Sequence, residues 1–568
     1  MTHSRRVQRA AGPPNSSDGV PDVPTEERET SRPRHWSDAA SSQLRRFMGW
    51  SGYRFTPKPI RRCLSRFHNW LLRSESLQHE RSRPLTHPLY NIVVPADEKV
   101  HLPLIWAVEM FPPSYAASMA RNIQKAGWRA TWPSAHGDVQ ERVRRARVTG
   151  TVNSTTLARL LSADEPAAHL MGYTPTRLPK EYRSIEITMI ELQNSLTAIV
   201  AAFELSEPES LALDRLLHVV PEPEIKPLRG GGHSIRSRIQ MSGELIEQER
   251  ARMRAGVRRW LSRRVPGVFA LEAQGHLPVM DLLVTTIAAP FESNMRDIGN
   301  YLPALGIAQQ FYQTVAPELP GLRFSEYQPD RRSPIDEPDL FNLSGRLSDI
   351  LSDDEPYFNG RPRTIRAITA RVSEDVGRYM SRLAISSLLS LKARQSAKSR
   401  DAAYALHGKR SIRSIKSLRE SFLRGSLDTL AIAAGIKALT SDAYTYKWNV
   451  PEFETELDPK YRQPGEAPKA PENQLDYLAN VQREQADLLI QADADTRQIL
   501  GVVASLTASV EGMRTQRWGF GISVLSLLVA LVAVVMTVGW GAFWTGFGVL
   551  IAQVFGAIEN AIVTLFGF

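Results

Sequence analysis

The sequence contains one cysteine, Cys63, among 568 residues. A single cysteine excludes an intramolecular disulfide and any metal site built from several thiolates. No two histidines lie three or four residues apart, so no helix carries a local histidine pair for a metal ion. The local motifs of hydrolases, zinc proteases, kinases, P-loop proteins and EF-hand proteins are also missing. We therefore predict no cofactor, metal or catalytic residue and favour a non-enzymatic protein, while an active site assembled from distant residues stays open.

Charge is missing from one long segment at the C-terminus. No ionisable side chain occurs between Arg517 and Glu559. This run is about twice the roughly 20 residues that one helical membrane span needs. Residues 539 to 546 combine three glycines with Trp and Phe, as a turn at the membrane interface would. Residues 517–568 are therefore predicted to form an α-helical transmembrane hairpin, with the lipid bilayer as a partner.

The orientation of this hairpin follows from its flanking charges. Arg514 and Arg517 precede the first span, whereas the turn and the tail carry no Lys or Arg. Basic residues near spans stay on the cytoplasmic side. The protein is thus predicted to lie in a membrane, multi-pass at its C-terminus, with the bulk of the chain cytoplasmic.

Polar residues interrupt the predicted second span. The small and polar residues concerned are Gln553, Gly556, Glu559 and Asn560. Polar groups at membrane depth are costly and face protein or water. Three interpretations are open: these residues line a pore in an oligomer, they form a seam where helices pack, or Glu559 lies near enough to the cytoplasmic interface to reach headgroups and water.

A stalk helix is predicted over residues 473–516, after a proline-rich linker over 446–472. The stalk has a heptad pattern that favours a coiled coil and a homo-oligomer, and no helix breaker separates it from the first span. Pairing with an earlier helix of the same chain is the alternative. The apolar seam is predicted at Leu478, Val481, Leu488, Ile499, Val502 and Leu506.

The order of these parts resembles that of CorA-type magnesium channels, in which a cytoplasmic α/β domain continues into a long helix and two C-terminal spans. The resemblance is one of layout over roughly the last hundred residues. The Gly-Met-Asn signature of that family is absent, and Val538-Gly539-Trp540 stands in its place. The layout implies an ion channel or membrane-permeabilising effector, with its pore lined by the second span, as the alternative function.

Two basic clusters lie upstream. Residues 1–40 are predicted to be disordered, and 41–89 form a basic segment with an amphipathic helix. A helical module over 351–445 contains the second cluster. The first cluster either contacts anionic lipid headgroups or is the solvated face of a helix docked on its own domain. The second either binds nucleic acid or is a basic surface that faces anionic headgroups. The residues predicted to contact lipid or another anion are Arg61, Arg62, Arg66, Arg73, Arg410, Arg413 and Lys416.

Between the clusters, residues 90–230 are predicted to be an α/β domain and 231–350 its mixed α/β continuation. Leu102–Phe111 and Val279–Ala289 are strand candidates. Ser242–Arg264 places acids before bases and is predicted to be a surface helix. The fold class is a helix-rich α+β multidomain cytoplasmic region, followed by a coiled-coil-like stalk and a transmembrane hairpin. The function this favours is a membrane-anchored, oligomeric protein whose cytoplasmic region binds an unknown protein or ligand or senses a signal.

Overall fold

The structure is a computed structural model. It describes the chain outside residues 1–35, 51–54, 129–138, 151, 166–172, 194, 229–232, 291–299, 308–311, 327–338, 353–363, 408–411, 459–460, 463–468, 539 and 567–568. The chain divides into two compact units. The smaller unit holds residues 1–83 and 222–237, and the larger holds 84–221 and 238–568. The predicted disordered segment lies outside the described residues up to residue 35, and its last five residues were predicted wrongly because they begin a helix at Trp36.

The described elements are numbered here in chain order. The strands are β1 (Val100–Phe111), β2 (Asn153–Ser162), β3 (Thr174–Thr176), β4 (Tyr182–Leu192), β5 (Leu196–Leu205), β6 (Glu224–Pro227), β7 (His233–Arg236), β8 (Val279–Thr285), β9 (Tyr312–Val315), β10 (Arg323–Glu326), β11 (Leu340–Arg346), β12 (Glu454–Leu457) and β13 (Glu472–Asn473). The helices are α1 (Trp36–Gly49), α2 (Lys58–Ser82), α3 (Ala116–Lys125), α4 (Val139–Thr149), α5 (Glu207–Ser210), α6 (Ala212–Leu217), α7 (Arg238–Arg264), α8 (Val268–Glu272), α9 (Tyr301–Ala304), α10 (Leu347–Ser352), α11 (Ile365–His407), α12 (Ile412–Ser441), α13 (Ala443–Lys447), α14 (Gln474–Val538) and α15 (Trp540–Phe566).

The smaller unit combines α1 and α2 with the antiparallel hairpin β6–β7. Helix α2 begins at Lys58 and carries a proline in its first turn, where the missing N–H costs nothing. At its other end, Arg81 Nε lies 3.1 Å from Glu222 Oε2, which joins the helix to the segment leading into the hairpin. A helix is therefore present within the segment 41–89, where the sequence predicts one.

The larger unit is organised around one sheet of eleven strands, in the order β13-β12-β9-β10-β11-β8-β1-β5-β4-β2-β3. Neighbouring strands are antiparallel except for the pairs β8–β11 and β2–β3, which are parallel. The protein is therefore mixed α/β, as its sequence predicts. The sheet contains strands from both of the predicted segments 90–230 and 231–350.

Helices cover both faces of the central strands. Strands β1, β5 and β8 are buried along almost their whole length, which explains why their sequences are nearly continuous apolar runs. On one face, Trp106 Nε1 donates to the Ser373 carbonyl of α11 over 2.9 Å. On the other, the Phe203 ring meets Trp260 of α7 edge to face, with centroids 5.4 Å apart. The strand predicted over Leu102–Phe111 is confirmed.

The proline-rich segment predicted as an extended linker contributes strand structure. Its residues Glu454–Leu457 form β12, which pairs antiparallel with β9, and Glu472 begins β13. Pro451 and Pro459 lie on either side of β12, so every N–H within the strand is available for pairing. The prediction of a linker from proline density alone is therefore wrong for Glu454–Leu457 and Glu472.

Helix α7 differs from the predicted surface helix. Its residues Arg250, Arg254 and Arg258 are buried, with exposed fractions of 0, 1 and 7%. The prediction was wrong for these three arginines because their partners come from elsewhere in the fold. Asp281 of β8 accepts from Arg250 Nε over 2.6 Å and from Arg254 Nε over 3.0 Å. Arg258 Nε donates to the Leu277 carbonyl over 2.9 Å.

Candidate membrane anchor and its stalk

A single helix joins the folded core to an apolar segment. Helix α14 runs without interruption over 65 residues from Gln474 to Val538. Within it, Thr515–Thr537 is long and apolar enough to cross a membrane, and none of it is buried inside the protein. The predicted continuity of the helix into the apolar segment is confirmed. Apolar residues so exposed in water would carry a large free-energy cost, and a lipid environment removes it.

The first part of α14 belongs to the core of the larger unit. Gln482, which is fully buried, donates through Nε2 to the Arg382 carbonyl over 2.8 Å and to Ser386 Oγ over 2.9 Å. Its Oε1 accepts from the Tyr446 hydroxyl over 2.9 Å. Both hydrogen-bonding groups of the amide are thus satisfied, which holds the helix in one rotational position. The stalk therefore begins as a built-in element of the domain.

The face that α14 buries lies one residue beyond the predicted seam. The buried positions follow the same heptad spacing and are Leu475, Ala479, Gln482, Ala486, Leu489, Asp493 and Thr496. Several of these side chains are short, and short side chains let helices approach closely. Pairing with helices of the same chain, the alternative reading of the heptads, is what this part of the structure contains.

The predicted seam itself flanks that buried face. Leu478, Val481 and Ile499 are half-buried, whereas Leu488 and Val502 are exposed by 66% and 53%. The side chain of Leu506 lies outside the described set. Association of several chains through this seam stays a prediction.

Most of the segment predicted to be a turn, residues 539–546, is helical instead. Only Gly539 separates α14 from α15, which begins at Trp540, so residues 540–546 are helical and the prediction of a turn there was wrong. Trp544 and Phe547, one turn apart, meet edge to face at 5.9 Å. The segment contains no proline, and glycine is a milder helix breaker than proline. Within α15 the apolar stretch Trp544–Ala557 is shorter than the roughly 20 residues that one helical membrane span needs.

The polar positions of α15 are partly described. Gln553 and Glu559 are exposed and Gly556 is half-buried, while the side chain of Asn560 lies outside the described set. Nothing lies within 4 Å of where a Gly556 Cβ would sit. Gln553 and Glu559 are therefore open to the surroundings of α15.

Helix α2 of the smaller unit presents apolar side chains to its surroundings. Ile60, Phe67 and Trp70 are exposed by 48, 46 and 55%. The Phe67 and Trp70 rings stack with centroids 5.8 Å apart. Among the predicted anion contacts on this helix, Arg66 is exposed and Arg61 is half-buried, while the side chains of Arg62 and Arg73 lie outside the described set.

The second basic cluster is described only in its backbone. Arg410 lies outside the described residues. Arg413 and Lys416 fall in the first turns of α12, and their side chains lie outside the described set. Lipid or anion contact by these three residues stays a prediction.

Another buried carboxylate, besides that of Asp281, lies in the sheet of the larger unit. Glu109 of β1 is fully buried and accepts backbone N–H bonds from Met110, Phe269 and Ala270 at 2.8 to 3.0 Å. It thereby satisfies the first N–H groups of α8. Burial raises the pKa of Glu109 to about 7, although the N–H donors lower it. Its role is to hold α8 on the sheet.

This raised pKa predicts a pH effect on stability. Between about pH 4.5 and 7 the folded chain holds a proton on Glu109 that the unfolded chain releases, so stability falls as the pH rises through 7. We expect Glu109 to contribute on the order of 3 kcal/mol to this fall. Urea unfolding of the detergent-solubilised chain would measure it. Glu109→Gln should flatten the profile, and Glu484→Gln, at an exposed position, should not; equal profiles for both variants would contradict the assignment.

An arginine-lined groove was missed by sequence reasoning. It has a volume of about 450 Å³ and lies where the second half of α7 meets β4 and β5. Its floor includes Tyr182 and Gly256, and a Cβ on Gly256 would lie 2.8 Å from the Tyr182 hydroxyl. Its rim carries Arg252, Arg259, Arg263, Arg264, Glu181 and Glu209. The available signal was the placement of Arg259 and Arg263 one helical turn apart around Trp260.

Metal sites and relatives give no further assignment. Among the residues that the structure describes, no three His, Cys, Asp or Glu side chains are grouped as a metal ion would need. No protein-family model, curated protein or solved structure matches this chain. The evidence on function therefore comes from helix α14, its apolar segment and the surfaces described above.

Proposed function

We propose that this chain is a membrane-anchored, oligomeric, non-enzymatic protein. Its large cytoplasmic region binds a partner or senses a signal, and the stalk helix couples that region to a transmembrane hairpin. The observation that supports this proposal best is α14, which is hydrogen-bonded into the core at Gln482 and ends in the exposed apolar segment Thr515–Thr537.

The continuity of α14 gives the proposal its mechanism. An α-helix without a break resists bending and twisting over a few turns, so its two ends move together. Partner binding that displaces α11 would act on the Gln482 amide, which is bonded to Arg382 and Ser386 of that helix. Rotation or translation of α14 then carries the change to the bilayer. In this proposal the hydrogen bonds to Gln482 set the resting position.

The half-exposed seam supports the oligomer. Leu488 and Val502 are large apolar side chains left on the surface of α14. A second copy anchored in the same membrane would present its own α14 in parallel, and parallel helices with heptad spacing bury such side chains against each other.

A pore is the second candidate, and Gln553 and Glu559 favour it. Both are polar and exposed on a helix that is predominantly apolar. Several copies would have to bring these side chains together around an aqueous path. The short apolar stretch of α15 favours anchoring over conduction, so we propose the anchor first.

The single cysteine allows membrane insertion and orientation to be tested without altering the native chain. Cys63 is exposed. We expect a membrane-impermeant maleimide to leave Cys63 unlabelled in intact bacterial spheroplasts and to label it after lysis, in protein that resists alkaline carbonate extraction. Labelling of Cys63 in intact spheroplasts, or release by carbonate, would refute the proposal.

A matched variant tests the hairpin itself. Cys63→Ser combined with Ala542→Cys moves the only thiol to the junction between α14 and α15. If the two helices form a hairpin, this thiol lies on the far side of the membrane and is labelled in intact spheroplasts. Labelling of this thiol only after lysis would contradict the hairpin but not the membrane anchor.

A further inference from the structure

We infer that the groove along the second half of α7 binds a ligand that carries a phosphate or a similar multiply charged anionic group. The inference concerns a site on the cytoplasmic region and does not depend on membrane anchoring. It rests on guanidinium groups that have no carboxylate partner within the described part of the chain, and on a buried hydroxyl and an apolar wall that meet them in one groove.

The rim offers cationic groups that are available to a ligand. Arg259 and Arg263 are exposed, and among the described residues neither has a carboxylate partner. Arg252, by contrast, is occupied by Glu249 at 2.8 Å and by a close contact with Glu209. Guanidinium groups bind phosphate oxygens in pairs of parallel hydrogen bonds. Two such groups one helical turn apart therefore suit a phosphate better than a single carboxylate.

The floor adds a donor. Tyr182 is buried, and its hydroxyl reaches α7 at Gly256, where any larger residue would push it away. Burial raises the pKa of Tyr182 well above its usual value, so the hydroxyl keeps its proton and can donate. A donor at the bottom of the groove and guanidinium groups at its rim would contact different oxygens of one anion.

The apolar wall of the groove indicates the chemistry of the rest of the ligand. Leu205 and Met253 are buried and line the groove beside half-buried Trp260. Ligand sites commonly combine an apolar lining with a few polar groups that fix orientation. The ligand therefore carries an apolar portion next to its anionic group, as a phosphate ester or a lipid headgroup with its glycerol does.

The helix dipole does not explain these arginines by itself. Basic residues in a last turn interact favourably with the helix C-terminus, and Arg263 and Arg264 lie there. Arg259 lies before that turn and still points to the groove. The rim carries four Arg against two Glu, and Glu209 is already in contact with Arg252. An excess of positive charge is thus left for a ligand.

Titration calorimetry of the full chain in uncharged detergent tests the inference with two probes. Inorganic pyrophosphate represents a free phosphate compound, and dihexanoyl phosphatidic acid, below its micelle concentration, represents a lipid headgroup. We expect at least one probe to bind, and Arg259→Ala/Arg263→Ala to weaken binding at least tenfold. The matched control is Arg121→Ala/Arg394→Ala, which removes two exposed arginines elsewhere in the larger unit and should change affinity less than twofold.

The two probes separate the sources of the ligand. Binding of both probes supports a soluble phosphate ester, and binding of phosphatidic acid alone supports a headgroup. Tyr182→Phe should weaken binding of the same probe several-fold with no change in rim charge. Absence of binding by both probes, or equal affinities for the rim variant and its control, would overturn the inference. Carbonate extraction of the rim variant should match the wild type, so failure here and failure of the anchor are distinguishable.

Discussion

Replacement of Asp281 by alanine is expected to lower the free energy of unfolding by about 3 to 5 kcal/mol, because it leaves two buried arginines without their shared partner. Asp281, Arg250 and Arg254 are almost completely buried. Burial alone would raise the pKa of Asp281, but Arg254 and Arg250 outweigh it and lower the pKa, so the carboxylate is ionised. Asn342 Oδ1 accepts from Arg250 over 3.1 Å and is too weak an acceptor to replace it.

A second variant and a control make this prediction testable even if the alanine variant does not fold. Asp281→Asn keeps the shape and one acceptor oxygen, so we expect a smaller loss than for alanine. Asp487→Ala removes a half-exposed partner of Lys437, 2.7 Å away, and should cost about 1 kcal/mol or less. Denaturant unfolding of the detergent-solubilised chain measures all three variants. A loss for Asp281→Ala no larger than for Asp487→Ala would contradict the role of this ion cluster.

Arginine in the middle of the apolar segment is expected to release the protein from the membrane. One arginine at the centre of a span costs about 3 kcal/mol of insertion free energy, which is roughly a hundredfold in the partition equilibrium. Leu527→Arg should therefore lower the carbonate-resistant fraction, and Leu527→Arg/Leu531→Arg should lower it further, because the two positions share a helix face.

Leu488 provides the control on the same helix. Leu527 and Leu488 have nearly equal exposed fractions, 68% and 66%, but Leu488 lies in the part of α14 that packs with the domain. If α14 stays in water along its whole length, Leu527→Arg and Leu488→Arg are tolerated equally. We expect Leu488→Arg to leave membrane association unchanged. A double variant at 527 and 531 that fractionates with the wild type would contradict anchoring by this segment.

Sequence patterns were most informative where the cause is local. Residues 104–111 form a nearly continuous apolar run, interrupted by Glu109 and flanked by Pro103 and Pro112, and they make up most of β1, which is buried on both faces. The heptad spacing of the stalk is likewise visible in the sequence and in the buried positions of α14. The face that packs was not visible in the sequence, since Leu478 is more apolar than Ala479 but is only half-buried, whereas Ala479 is buried.

The misread features depend on distant partners. Strand β12 pairs with β9, whose register partners lie about 140 residues earlier, and no local pattern announces that pairing. Arg250 looks like a surface residue in the sequence because its partners, Asp281 and Asn342, come from two other strands. In the sequence the groove arginines fit an interaction with the helix dipole. Their neighbour in the groove, the hydroxyl of Tyr182, lies about 75 residues upstream, so no local pattern shows the groove.

The amino-acid sequence by itself determined that the C-terminal segment is apolar enough for a membrane and that an unbroken helix leads into it. Both properties depend on composition and on the absence of prolines within a few turns, where neighbouring residues decide the outcome. Tertiary structure alone decided which face of that helix is buried, where the eleven strands pair, and which arginines are buried and which line the groove. These features depend on contacts between residues far apart in the chain, whose free energy no single segment contains.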